Sequence, residues 1–131
     1  MLTDLFFVFS CSNVSQNLEI SLSDSNGLIS SAQQQSGEII LSGKISLPNC
    51  LTLTLNDLGE HPSKAIRLDS MKLGSLAVPV STIDQMCRFQ PMHGNSEMVT
   101  RHWWCDGCVV IDLFAKDWVQ FHLIYGHKIV P

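Results

Sequence analysis

The sequence predicts a single all-β domain over residues 1–131, an antiparallel two-sheet sandwich of jelly-roll type, with a closed barrel as the alternative. Three observations predict it. Apolar and polar residues alternate with period two in run after run. Asn-Gly and Asp-Gly dipeptides sit between such runs, where two-residue hairpin turns are built. Helical periodicity is almost absent, so no crossover helices are available to make a parallel sheet.

The elements follow in chain order. Leu5 to Phe9 is an apolar first strand, too short and too acidic at its start (Asp4) for a secretory signal, which makes cytoplasmic the default location. Leu18, Ile20 and Leu22 alternate with Glu19 and Ser21 up to a Ser25-Asn26-Gly27 hairpin turn. Glu38 to Leu47 is one aliphatic strand region, with a bulge or bend expected at Ser42-Gly43. Leu51, Leu53 and Leu55 alternate with Thr52, Thr54 and Asn56; a polar loop to Lys64 precedes a strand over 65–73. Leu76-Ala77-Val78 is closed by Pro79. Ser81-Thr82-Ile83-Asp84 fits a capping box and predicts a short helical turn over 82–87. Residues 90–97 read as a loop.

The last third reads as a hairpin over 100–114 centred on Asp106-Gly107, which sets Arg101 across from Asp112 and Trp103 across from Val110. Opposite charges facing each other favour that register. His102 and Trp104 then share the core face with Val109 and Ile111, while Arg101, Trp103 and Asp112 point outward. From Trp118 to Tyr125 the chain alternates again, with Val119, Phe121, Leu123 and Tyr125 on one face and Trp118, Gln120 and His122 on the other.

Composition narrows the function. The chain has 131 residues, 45% of them hydrophobic and 15% charged, with a net charge of -4. That is too apolar for a disordered chain, and no apolar run reaches the ~18–20 residues of a membrane-spanning helix. Eight basic residues against twelve acidic, with no basic run, argue against nucleic acid as a partner. Five cysteines, an odd number, are not a disulfide framework, and a reducing compartment would keep them as thiols.

Few motifs carry chemistry. Cys105-Asp106-Gly107-Cys108 has the spacing of a redox pair but sits before a strand, where no helix dipole lowers a thiol pKa. As a zinc knuckle it needs two further ligands from Cys87, His93 or His102, and the hairpin register turns His102 away. No metalloprotease, nucleophile-elbow or phosphate-loop spacing occurs, so the chain does not read as an enzyme. Asn56, Asp57 and Glu60 put three oxygen-bearing side chains in one loop, a weak set for calcium. The aromatics are more suggestive. Sugars stack on flat rings flanked by planar polar groups. Trp103 and Trp118, with Arg101, Asp112, Gln120 and His122, match that chemistry and predict a non-catalytic carbohydrate-binding module. The alternative is a structural or assembly protein, a homo-oligomer or virion-type subunit, with Val110, Trp118 and Ile124 as interface.

One stretch points the same way. Leu55-Asn56-Asp57, a polar loop, and the strand Ile66-Arg67-Leu68-Asp69-Ser70 resemble the calcium-dependent xylan-binding carbohydrate-binding modules over about twenty residues. The resemblance implies a jelly-roll sandwich and implies Asn56, Asp57 and Asp69 as positions of interest. That family's second, Asp-rich calcium segment has no counterpart here.

Overall fold

A computed structural model describes residues 2–46, 49–93 and 96–113. Two antiparallel sheets face each other across one apolar core. The first contains β1 (Leu2–Ser12), β4 (Glu38–Ser46), β6 (Ala65–Leu73), β7 (Leu76–Ala77) and β10 (His102–Trp103), in the order β10-β6-β1-β4 with β7 also on β6. The second contains β2 (Glu19–Asp24), β3 (Gly27–Gln33), β5 (Cys50–Asn56), β8 (Cys87–Pro91), β9 (Met98–Val99) and β11 (Gly107–Asp112), in the order β3-β2-β5-β11-β8-β9. The all-β sandwich expected from the sequence is the fold observed.

Alternation builds the core, as predicted for β2, β5 and β11. Leu5, Phe7 and Phe9 of β1 point inward to meet Ile20 and Leu22 of β2, Leu51, Leu53 and Leu55 of β5, and Val109 and Ile111 of β11. Each fully buried aliphatic or aromatic side chain contributes roughly 1.5–3 kcal/mol of transfer free energy. β5 and β6 occupy the residues expected of them.

Three local expectations are corrected. The bulge foreseen at Ser42-Gly43 is absent, because β4 pairs with β1 in unbroken register from Leu2↔Ser46 to Ser10↔Glu38. Gly43 instead makes room: a Cβ there would lie 2.7 Å from Cγ2 of Ile29. Bulges occur elsewhere. Leu22 pairs with Ser30 and Ser23 with Leu28, leaving Ile29 as the extra residue of β3. Val8 pairs with Ser70 and Phe9 with Leu68, so Asp69 is extra in β6. That insertion switches the inward phase of β6 from Ile66 and Leu68 to Met71 and Leu73.

The helix, α1 (Val80–Met86), begins two residues earlier than expected, with Pro79 at its N-cap and no side-chain cap. Ile83 is its buried residue. Asp84 accepts a hydrogen bond from the Arg101 backbone N–H at 3.0 Å instead of closing a capping box.

The 100–114 hairpin does not form. β10 pairs with β6 in the first sheet (His102↔Arg67, Trp103↔Ile66), whereas β11 lies between β5 and β8 in the second. The chain crosses from one sheet to the other at Trp104-Cys105-Asp106. Among the described residues, no helix is long and apolar enough to cross a membrane.

Candidate functional site

The sheet crossover reverses the two tryptophans. Trp103 is 1% exposed, packed with its ring centroid 6.1 Å from Phe9 and 6.3 Å from Phe89. Its indole N–H donates to the Thr100 carbonyl at 2.8 Å. A ring held this way is core, so the expected outward platform at Trp103 is overturned. Trp104 is the exposed one, at 38%, standing edge-on against Phe89 with centroids 5.2 Å apart. Successive strand residues alternate faces, so a wrong partner strand exchanges the two rings at once.

The polar residues expected around Trp103 are not gathered. Arg101 lies half-buried before β10, its guanidinium donating to the Leu68 carbonyl at 3.2 Å. Asp112 ends β11 in the other sheet, opposite Cys50, and its charge acts on Cys50 and Arg88. Arg101 and Asp112 therefore do not face each other. Trp118, Gln120 and His122 lie outside the described residues, as do Ile124 and the strand expected from 118 to 125.

What the fold does gather is one end of the sandwich, where the β1–β2, β5–β6, β8–β9 and β10–β11 connections meet. Asp106 is the tie. Its carboxylate accepts the backbone N–H groups of Asp57 at 3.1 Å and Leu58 at 2.8 Å, and its carbonyl accepts the Met92 N–H at 2.9 Å. Asp57 sits at φ 67°, a left-handed conformation that aspartate tolerates better than most side chains. The carboxylate of Asp106 satisfies the N–H groups this turn exposes. Leu58, fully buried, anchors the loop to the core. Its carbonyl accepts the Ser15 N–H at 2.8 Å, and the Asn13 amide donates to the Ser63 carbonyl at 3.3 Å. Gly59, at φ 97°, lets the two loops close: a Cβ there would lie 3.2 Å from the Ser15 backbone.

Between these loops lies an open cleft of about 540 Å³, whose polar lining is Asn13, Ser15, Asn17, Asp57, Glu60 and His61. His61 accepts the Ser63 N–H at Nδ1, 3.0 Å, which makes Nε2 the donor of the neutral ring. Two amides, two carboxylates and an imidazole can each hydrogen-bond hydroxyl groups, and Ser63 holds the Asn13 amide and the His61 ring. Sequence reasoning had singled out Asn56, Asp57 and Glu60 but not Asn13, Asn17, His61, Trp104 or Asp106. The polarity of the 56–64 loop was the only signal that could have led there.

The calcium set is tested by the same geometry. Asn56 at the end of β5 and Asp57 and Glu60 in the β5–β6 loop are exposed, but Asp69 is in the middle of β6 in the opposite sheet, ion-paired with Arg67. Among the described residues, no three His, Cys, Asp or Glu side chains come together as a metal set. The loop is shaped by a carboxylate from a neighbouring connection, which accepts the Asp57 and Leu58 N–H groups.

Neither do the cysteines make a site. Cys105 packs against the core, while Cys108 alternates outward from buried Val109 on β11, so the two thiols diverge. Burial raises the Cys105 thiol pKa, the opposite of what a redox nucleophile needs. Burial likewise pushes Cys87 up to about 12, and burial with the nearby Asp69 charge pushes Cys11 up to about 11.

No family model and no curated protein matches the chain. Two solved structures do. One is described as vCBM60 in complex with galactobiose: TM-score 0.59, 8% identity, covering 83% of this chain and 97% of that one. The other is the selenomethionine form of vCBM60, from work on circular permutation linking two families of calcium-dependent carbohydrate-binding modules: TM-score 0.60, 8% identity, covering 84% and 90%. The resemblance to calcium-dependent carbohydrate-binding modules is thus a likeness of fold, at faint sequence identity.

Proposed function

We infer that this chain is a non-catalytic carbohydrate-binding module that takes its sugar at the loop end of the sandwich. The observation that carries the reading is the 540 Å³ cleft lined by amide, carboxylate and imidazole groups, tied through Asp106 to the connection that bears exposed Trp104. Amides and carboxylates take sugar hydroxyls in pairs of hydrogen bonds, and an exposed indole offers a face for the apolar side of a pyranose. The fold shared with a module solved in complex with galactobiose supports the same chemistry. The cleft is open and shallow, suited to one or two sugar rings held by side chains, without the enclosed geometry that a reaction needs.

A glycan array followed by calorimetric titration of galactobiose into the full chain tests this, with and without calcium. Saturable binding is expected, and its loss on adding a chelator would assign calcium a role at the loop end. Trp104→Ala and Glu60→Ala should each weaken binding about tenfold or more, equivalent to about 1.4 kcal/mol. Trp104→Ala should cost only about 0.5–1.5 kcal/mol of stability, the worth of its edge contact with Phe89. Trp118→Ala belongs in the same series, because the sequence alone nominates that ring together with Gln120 and His122. Silence of a folded protein across the array sinks the reading.

A further inference from the structure

The outer face of the β4-β1-β6 sheet carries an apolar centre that has no role in sugar binding. Phe6 is 37% exposed and Ile40 48%, with Val8 half-buried between them; Val8 pairs directly with Ile40, and Phe6 with Ser42. Among the described residues nothing lies on this patch, and charges ring it. Glu38 stands at one end of β4 and Lys44 near the other, both exposed and both on the outer face. An apolar centre with a charged rim is the anatomy of a protein interface.

The order of charges along β4 indicates the partner. We propose that a second copy of this chain packs on the face, β4 on β4 and antiparallel, about a two-fold axis level with Leu41 and its pair Phe7. That operation sets Glu38 of each copy against Lys44 of the other, and Phe6 of each against Val8 of the other. Lys44 already holds Asp4 at 3.1 Å, but both side chains are about 70% exposed, and such a surface pair leaves the ammonium able to take a second carboxylate. A two-fold interface must be self-complementary, with each residue's partner also its partner's partner. Glu38 and Lys44, placed symmetrically about Leu41, meet that condition, whereas a strand with like charges at both ends would repel its copy.

Light scattering on the eluting full chain should give a dimer that dissociates on dilution and weakens with added salt. Glu38→Lys and Lys44→Glu should each weaken it about tenfold or more, because each mutant juxtaposes like charges twice. The double mutant E38K/K44E should restore it. All three variants alter exposed side chains, so unchanged circular dichroism checks that the fold is intact. A strict monomer at ~100 μM, within the ~1 μM–1 mM range where weak dimers form, overturns the proposal. A dimer indifferent to both single charge reversals, or one that the double mutant fails to restore, overturns it equally.

Discussion

Two glycine-ended turns, Ser25-Asn26-Gly27 and Asp106-Gly107, look alike in sequence and fold differently. The first makes a hairpin. Asp24 pairs with Gly27 across the tip, the Asp24 carboxylate accepts the Asn26 N–H at 2.8 Å, and Gly27 takes φ 119°. The second opens no hairpin; the strands on either side of it go to different sheets. Gly107 is not among the positive-φ residues, and its small size answers a close approach instead: a Cβ would lie 2.3 Å from the Gln90 carbonyl oxygen. A turn dipeptide therefore reports local freedom, while the partner strand is chosen by which large side chain must be buried. Here that side chain is Trp103, which fills the space between Phe9 of one sheet and Phe89 of the other. Pairing β10 with β11 would have required it to face solvent.

The largest expected effect follows from that choice. Trp103→Ala leaves a cavity between the sheets and strands the Thr100 carbonyl, and should cost about 3–5 kcal/mol. For a chain of this size that lowers the melting temperature on the order of 10–20 °C. Calorimetry of Trp103→Ala beside Trp104→Ala is the sharpest form of the comparison. Equal small losses would mean that neither ring holds the sheets together, and the account of the crossover would fail.

The strands that were legible in the sequence are those whose neighbours in space are set by alternation alone. β2, β5 and the start of β6 alternate apolar with polar residues, so their inward positions can be read without knowing their partners, whereas β1 buries every second residue of a run that is apolar throughout. Even there the reading stops at a bulge: nothing in Leu68-Asp69-Ser70 announces that Asp69 is the extra residue, because the insertion is defined by β1 across the sheet. The loop end was legible only as polarity. Asp57 and Glu60 could be named, but Asp106 comes to them from 46 to 49 residues away, and separations of that kind leave no periodic trace. The tryptophans failed for the same reason, since their faces depend on a register that lies outside the segment.

Gly107→Ala comes next in size. Its Cβ would collide with backbone on the neighbouring strand, at Gln90 O and Pro91 Cα, and backbone cannot swing aside as the end of a side chain can. Overpacking of this kind costs roughly 1–3 kcal/mol, with the upper end expected here. The loss should appear as faster hydrogen exchange along β8 and β11, not confined to the turn. Exchange that quickens only at 105–108 would mean the glycine serves the turn after all.

Gly27→Ala is the smallest of the three and separates torsion from packing. No atom lies within 4 Å of where its Cβ would be, so the added methyl meets nothing. The cost is that of holding an L-residue at φ 119°, about 1–2 kcal/mol. The hairpin tip can relax into solvent, which places the expected value near the lower end and restricts any change in hydrogen exchange to β2 and β3. Because Gly107 is constrained by backbone contact and Gly27 by its own dihedral, a Gly→D-Ala replacement by chemical synthesis should divide them. D-alanine favours positive φ, so at Gly27 it removes the penalty or stabilises the turn, whereas at Gly107 it imposes a dihedral preference the strand does not use. Stabilisation at both positions would show that Asp106-Gly107 behaves as a hairpin turn, and the contrast between the two regions would not stand.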